Sequence, residues 1–143
     1  MQLTREADYA VRVVLDLAEH AGDGPLRSAD VARRQMVPKP FLRKVVQALA
    51  RSGCVKTHRG TGGGIALTRD PETITLRAVI EAIEGPISLN GCVIAPGACP
   101  LDRTCSVHPV WRRIQDLMIR ELEGATIESL RRRERANTLP RGG

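Results

Sequence analysis

The sequence predicts a mainly α-helical protein: a winged helix-turn-helix domain with a two-stranded wing, followed by a long C-terminal helix that serves dimerisation. Three observations lead to this fold class. Two short amphipathic helices are joined by a tight turn, a Gly-rich hairpin follows directly, and a long helix with an apolar stripe comes near the end. At 143 residues the chain is long enough for one domain and one appended element.

The N-terminal helices are predicted from their caps and their apolar spacing. Thr4 is a predicted N-cap, and apolar residues recur at helical intervals over about 5–20. Ser28 is predicted to cap a second helix that runs to about residue 35. A Pro-rich turn then precedes a third helix over about 41–52. The second and third helices therefore form the predicted helix-turn-helix, and the third is its recognition helix.

The wing is predicted from two short runs of strand-forming residues on either side of a turn. The strands are 54–58 and 65–68, and the turn between them is Arg59–Gly64. This turn lacks the Gly-Lys-Ser/Thr ending of a phosphate-binding loop, and no helix follows it, so a nucleotide site is disfavoured. A fourth helix, capped by Thr75, completes a winged domain over residues 1–84.

The C-terminal part is predicted to comprise a cysteine-rich loop over 85–108, a long helix and a short terminal helix within 109–136, and a disordered tail over 137–143. The long helix carries an apolar stripe formed by Trp111, Ile114, Leu117, Met118 and Leu122. A single helix of this kind has little core of its own to cover. We therefore expect a homodimer in which two copies of it pair. The alternative is that the helix folds back onto its own domain.

The charge balance indicates a polyanionic partner. There are 22 Lys and Arg residues against 16 Asp and Glu, a formal net charge of +6. With a helix-turn-helix, double-stranded DNA is the expected ligand, Arg43 being suited to a guanine edge and Arg59 to a minor groove. The candidate DNA contacts are Ser28, Pro38, Lys39, Pro40, Arg43, Lys44, Arg59 and Gly60.

Three of the four cysteines, Cys92, Cys99 and Cys105, lie in one Pro/Gly-containing loop that ends at His108. The sequence shows neither a long apolar run nor a basic-then-apolar leader, which predicts a cytoplasmic protein without membrane association. In that compartment clustered thiols are more often metal ligands than disulfides. With His108 they would also form a complete zinc-binding set, so the residue types alone leave iron–sulfur and zinc open. Cys54 suits a small core hydrophobe.

These features together resemble the Rrf2 family of bacterial winged-helix regulators. The resemblance lies in the N-terminal stretch 1–12, the wing turn 59–64, and the three cysteines followed by His108 and Trp111. It extends from residue 1 to about 134. It implies a dimeric DNA-binding transcription regulator, a repressor, that senses redox state, nitric oxide or iron.

The resemblance also implies a cofactor and its ligands. Cys92, Cys99 and Cys105 would bind an iron–sulfur cluster, with 4Fe–4S favoured over 2Fe–2S. The fourth ligand would be Asp8 of the other subunit, as in the nitric-oxide-sensing branch of the family. His108, which matches the branch that regulates cluster assembly, is the alternative. Cys92 and Cys99 are separated by one residue more than in that second branch, which leaves the cluster type open.

Two other interpretations compete with this one. A winged-helix protein with a structural zinc at the three cysteines and His108 would bind DNA without responding to redox state. An iron–sulfur carrier or scaffold would use the cysteines but would have no use for the wing and the basic helix. An enzyme is disfavoured, because the sequence shows no nucleophile–base pair and no motif that would cradle a substrate.

Overall fold

The computed structural model describes residues 2–138, and within them the fold is mainly helical, as the sequence predicts. The elements in chain order are α1 (Arg5–Glu19), α2 (Ser28–Gln35), α3 (Lys39–Arg51), β1 (Val55–His58), β2 (Gly64–Leu67), α4 (Leu76–Glu84), α5 (His108–Gly124) and α6 (Ile127–Thr138). Short 3-10 turns cover Ala21–Asp23, Pro71–Thr73 and Gly91–Val93. No helix among the described residues is long and apolar enough to cross a membrane.

Helix α1 lies at the centre of the core and packs against α2, α3, α4, α6 and β2. Its inward residues Ala7, Val13 and Leu17 are buried. The Oγ1 of Thr4 accepts a hydrogen bond from the backbone N of Ala7 at 3.2 Å, which confirms the predicted cap. Burying each large aliphatic side chain contributes about 1.5–3 kcal/mol, so this face supplies much of the stability of the fold.

Helices α2 and α3 form the helix-turn-helix, and α2 is fixed to α1 by a buried carboxylate. Asp16 of α1 accepts hydrogen bonds from Arg34 Nε at 3.0 Å, Arg34 Nη2 at 2.8 Å and Gln35 Nε2 at 3.1 Å. The hydrogen bond to Asp16 raises the pKa of Arg34. In the turn that follows, Met36 adopts a left-handed conformation with φ 51°. The chain can therefore reverse within a few residues.

Two predicted helix starts are wrong. Ser28 is not an N-cap but the first residue of α2, and its predecessor Arg27 makes no side-chain cap. The reason is that Leu26, just before, is held extended by pairing with the wing, so the helix begins directly after Arg27. Helix α3 starts at Lys39 rather than Phe41, because a proline in the first turn needs no hydrogen-bond acceptor for its nitrogen.

The wing is an antiparallel hairpin in which Val55 pairs with Leu67. Leu26 pairs with β2 from outside the hairpin: its N donates to Ile65 O at 2.8 Å, and Ile65 N donates to Leu26 O at 2.7 Å. This pairing joins the wing to the segment that leads into α2. Gly64 allows it, since a Cβ at that position would stand 2.2 Å from the Leu26 carbonyl oxygen.

The C-terminal helices return to the domain. Helix α4 begins directly after its predicted cap, Thr75, whose Oγ1 accepts from Ala78 N at 3.1 Å. Helix α5 packs against α4, and α6 packs against α1. There Arg135 Nη2 lies 2.6 Å and Arg131 Nη1 3.3 Å from the carboxylate of Glu19. The hydrogen bond from Arg135 lowers the pKa of Glu19.

Helix α6 is longer than expected. It runs to Thr138, so Asn137 and Thr138 are helical rather than part of a disordered tail. The rest of that predicted tail, 139–143, lies outside the described residues. The ion pairs with α1, together with the buried Ile127, give α6 a tertiary partner that the sequence does not reveal.

The apolar stripe of α5 is divided between two environments. Trp111, Met118 and Leu122 are half-buried, whereas Ile114 is 39% and Leu117 54% exposed. Two further apolar residues at the start of the helix, Val107 and Val110, are also exposed. One side of α5 therefore packs within the chain, as the fold-back alternative requires, and an apolar side remains at the surface.

We expect Gly64→Ala to lower the free energy of unfolding by about 1–3 kcal/mol, because the new methyl group meets the Leu26 backbone and not a flexible side chain. Urea unfolding measures the change. The matched control is Gly22→Ala, where a Cβ meets nothing within 4 Å. An equal effect of the two substitutions would contradict the close approach of the wing to Leu26.

Candidate nucleic-acid interface and metal centre

A groove of about 460 Å³ lies between α2, α3 and β1, on the side where a recognition helix is exposed. Its lining includes three of the predicted DNA contacts, Ser28, Lys39 and Arg43. It also includes Gln47, one helical turn after Arg43, and Thr57 of β1. The structure thus brings residues from the helix-turn-helix and from the wing to one concave surface.

The remaining predicted contacts lie around this groove. Pro38 and Pro40 are exposed at the start of α3, and Arg59 and Gly60 are exposed at the tip of the wing. Gly60 has φ +89°, which a glycine adopts without strain at this turn. Lys44 lines a second depression together with Glu6 and faces away from the groove.

The cations of α2 form ion pairs with carboxylates, whereas those described on α3 and the wing do not. In α2 and its approach, Arg27 and Arg33 pair with Asp30, and Arg34 pairs with Asp16. On α3 and the wing, within residues 2–138, the exposed cations have no carboxylate within 4.0 Å; they are Lys39, Arg43, Lys44, Arg51, Lys56 and Arg59. Unneutralised positive charge therefore accumulates on α3 and the wing, as phosphate binding requires.

The loop between α4 and α5 is shaped by two proline turns. In the first, Ala98 N donates to Ala95 O at 3.2 Å, with Pro96 second and Gly97 at φ +75° third, the pattern of a type II turn. In the second, Asp102 N donates to Cys99 O at 3.2 Å. These reversals fold the loop back on itself and bring Cys99 and Cys105 near Cys92.

Cys92, Cys99 and Cys105 are free and half-buried, and Cys92 is close enough to the other two for their thiols to affect its pKa. Burial raises the pKa of the Cys92 thiol, and a hydrogen bond to Cys99 and the charges of the Cys99 and Cys105 thiolates raise it further. The described residues nevertheless contain no group of three or more His, Cys, Asp and Glu side chains disposed to hold a metal ion. The thiols are thus close enough to interact, without forming a completed ligand set.

Cys54 lies apart from this group. It is buried in the core beneath the wing, with Arg69 Nη2 3.5 Å from its sulfur. Its role as a small core residue agrees with the expectation from sequence.

His108 begins α5 and is buried, and its Nδ1 has no hydrogen-bond partner among residues 2–138. It lines a small cavity of about 120 Å³ together with Cys92, Gln115 and Asp116. Burying an imidazole nitrogen without a hydrogen-bond partner costs folding free energy. The position of His108 Nδ1 beside Cys92 therefore indicates a place where a ligand could bind. Cys99 and Cys105 do not line this cavity.

Asp8 lies in the first turn of α1, where its side chain is 54% exposed and forms an ion pair with Arg12. Arg12 in turn donates to the backbone O of Gln35, at the end of α2, at 3.2 Å. The carboxylate is therefore accessible from outside the chain and is linked, through one arginine, to the helix-turn-helix.

Sequence reasoning missed three residues that the structure places at these sites. Gln47 could have been found, since it lies one turn beyond Arg43 on the same face of α3. For Thr57 and Gln115, no spacing or motif in the sequence indicates a place at these sites. Thr57 reaches the groove only because the wing folds beside α3, and Gln115 reaches the cysteine loop only because α5 returns beside α4.

Comparisons with known proteins agree with this geometry. The family model described as Rrf2, iron-dependent transcriptional regulator, matches residues 3–133. The HTH-type transcriptional regulator IscR of Yersinia enterocolitica is 34% identical over 130 residues, which cover 91% of this chain and 79% of that protein. IscR of Photorhabdus laumondii is 33% identical over the same length and coverage.

Solved structures of similar shape include CymR, the global cysteine regulator of B. subtilis. It superposes with a TM-score of 0.75 at 28% identity, covering 92% of this chain and 96% of CymR. IscR of T. potens has a TM-score of 0.80 at 24% identity, covers 99% of this chain and 94% of that one, and shows the fold alone.

The winged-helix fold predicted from the sequence is confirmed by these matches. The relatives are named as transcriptional regulators, which confirms the expected class of DNA-binding regulator and the expectation that the chain is not an enzyme. This chain belongs to the Rrf2 family of transcriptional regulators.

Proposed function

We propose that the protein is a homodimeric, iron–sulfur-cluster-dependent DNA-binding regulator, a cytoplasmic repressor that senses redox state, nitric oxide or iron. The observation that carries the proposal is the presence of three half-buried thiols, with Cys92 near the other two, on one loop between α4 and α5 of a winged-helix domain. A loop placed there is joined to the DNA-reading domain on one side and to an exposed apolar helix on the other.

The residues present fit an iron–sulfur cluster by their chemistry. Thiolates are the ligands that iron–sulfur clusters prefer, and Cys92, Cys99 and Cys105 would supply three. A 4Fe–4S cluster needs a fourth ligand, and an oxygen or nitrogen in that place would leave one iron more reactive. Bound there, the cluster would supply a group that reacts with oxidants and nitric oxide.

We assign the fourth ligand to Asp8 of the partner subunit. In this structure Asp8 is exposed and holds Arg12, which donates to the end of α2. Recruiting that carboxylate to a metal would release Arg12 from its ion pair. Asp8 lies about two turns of α1 before Asp16, the residue that anchors α2 through Arg34. The assignment therefore connects ligand binding to the position of α2.

His108 is the alternative fourth ligand, and one observation favours it. Its Nδ1 is buried without a hydrogen-bond partner in the described part of the chain, and His108 lines the same cavity as Cys92. Ligation by His108 would satisfy this atom within one chain. By residue type, the three cysteines and His108 would also suit zinc, so a structural zinc is the second candidate. An iron–sulfur carrier would leave the unpaired cations of α3 and the wing without a role.

A second copy of this chain is the partner that suits the exposed face of α5. Val107, Val110, Ile114 and Leu117 recur at intervals of three and four residues and so form one stripe. Pairing two such stripes would remove them from water and place two recognition helices at a fixed separation. Two half-sites about one helical turn apart would then be read together.

The proposed DNA contacts are assigned from exposure and charge. Lys39 and Arg43 face the groove, and Arg59 and Gly60 form the wing tip. Lys44 would serve a phosphate on the flank rather than a base, since it faces away from the groove. The other contacts are Ser28, Pro38 and Pro40.

Protein purified without oxygen is expected to be brown, with iron and sulfide present in near-equal amounts and one cluster for each three-cysteine loop. Absorption spectroscopy with iron, sulfide and zinc analysis measures this. A colourless protein with one zinc per chain would overturn the cluster and establish the zinc alternative.

The fourth ligand is tested by Asp8→Ala and His108→Ala. If Asp8 ligates, Asp8→Ala loses the cluster to a chelator about 10–100 times faster than the wild type, whereas His108→Ala behaves like the wild type. Mixing Asp8→Ala with Cys99→Ala subunits should restore part of the cluster in the mixed dimer, because one of its two sites is complete. The reverse order of sensitivity would assign the ligand to His108.

Arg43→Ala is expected to weaken binding to the protein's own promoter by about 1–3 kcal/mol and to relax the preference for one base pair. Fluorescence anisotropy over a range of salt concentrations measures both effects. Arg120→Ala, which removes the same charge from an exposed position on α5, is the control. Equal losses from the two variants would show that the effect is only one of net charge.

A further inference from the structure

Gln115, in the middle of α5, makes contacts that the DNA groove and the three thiols do not explain. It is half-buried, on the same side of the helix as the half-buried Trp111 and Met118, four residues before it and three after. A polar side chain on an inward-facing side of a helix needs hydrogen-bond partners. Gln115 finds its partners in the first residues of the cysteine loop, before Cys92.

The side-chain amide of Gln115 pairs with the backbone in both directions. Leu89 N donates to Gln115 Oε1 at 2.7 Å, and Gln115 Nε2 donates to Ile87 O at 2.9 Å. The two bonds imitate the pairing of one residue with a neighbouring β-strand. Only an amide side chain offers a donor and an acceptor in this arrangement, and Asn is shorter by one methylene group.

We call these two hydrogen bonds the Gln115 clamp; they hold the entry of the cysteine loop, residues 87–89, against α5. Leu89 lies three residues before Cys92, a length of chain that spans at most about 10 Å. Asn90 Oδ1 accepts a hydrogen bond from Cys92 N at 3.1 Å, which shortens the connection further. Fixing Leu89 therefore confines Cys92.

The exit of the loop is fixed to the same helix by chain continuity. Cys105 lies three residues before His108, the first residue of α5. Across residues 2–138, no α5 side chain other than Gln115 forms a hydrogen bond with the segment 85–107. Without Gln115, α5 would hold the Cys105 end of the loop by direct chain connection and the Cys92 end by packing alone. The only side-chain hydrogen bond left on residues 85–89, within residues 2–138, would be the one that Glu81 of α4 accepts from Ile87 N at 3.2 Å.

We propose that Gln115 is a positioning residue that sets the location of the Cys92 thiol relative to Cys105 by tying the loop's entry to the helix that carries its exit. The inference deepens the proposed function and rests on its cluster. It also connects Cys92 to the apolar face of α5, because Ile114, the neighbour of Gln115, is one of the exposed residues of that face.

The test uses the full chain with Gln115→Leu, which keeps the size of the side chain and removes both hydrogen bonds. In the cluster-free protein, hydrogen exchange at the Leu89 amide should be about tenfold faster than in the wild type. In the loaded protein, loss of the visible absorption to a chelator without oxygen should also be about tenfold faster. Arg120→Leu, an exposed position on the same helix, should change neither rate.

Gln115→Glu provides a graded second variant. Its carboxylate keeps the acceptor for Leu89 N and loses the donor for Ile87 O, so both rates should fall between those of wild type and Gln115→Leu. Unchanged Leu89 exchange in both variants would overturn the clamp. Faster exchange with wild-type cluster loss would overturn the positioning role. If the wild type holds no cluster, the proposed function is wrong, and so is the role of Gln115 in positioning cluster ligands. The Leu89 exchange result, measured in cluster-free protein, would still stand, so the two failures can be told apart.

Discussion

Burial of the apolar face of α1 is the interaction on which the rest of the structure depends. The helix contacts the helix-turn-helix, the second strand of the wing and both α4 and α6, so its side chains hold the DNA-reading unit and the C-terminal helices in one core. Ala7, Val13 and Leu17 are buried among these elements. Because protein interiors are densely packed, a displacement of α1 cannot be absorbed locally and must move α2 and α3 as well.

The polar side of α1 adds directional links to this core. Asp8 binds Arg12, which donates to the end of α2; Asp16 binds Arg34; and Glu19 binds α6. These residues recur every three or four positions and form one stripe along the helix. The buried Asp16 pair has the most restrictive geometry, while the exposed pairs at both ends are weaker and screened by salt. The proposed ligation of Asp8 would therefore break only the weaker, exposed Asp8–Arg12 pair, while the buried Asp16–Arg34 pair keeps α2 attached to α1.

The sequence predicted those features that depend on neighbouring residues. Thr4 and Thr75 cap their helices as expected, because a cap needs only a hydroxyl and a backbone amide three residues on. It did not predict the pairing of Leu26 with Ile65, the return of α6 to Glu19 or the clamp made by Gln115. Each of these joins residues far apart in the chain, and no local pattern encodes them. The cysteine ligands and the DNA contacts follow instead from residue type and from the resemblance to the family.

The proposed regulation requires that the cysteine loop and the DNA-reading surface are coupled through one core. The most direct measurement is the affinity for the protein's own promoter, determined without oxygen by fluorescence anisotropy for cluster-loaded and cluster-free protein at the same salt concentration. Coupling of the two sites predicts affinities that differ by about tenfold or more. Equal affinities of the two forms would contradict it.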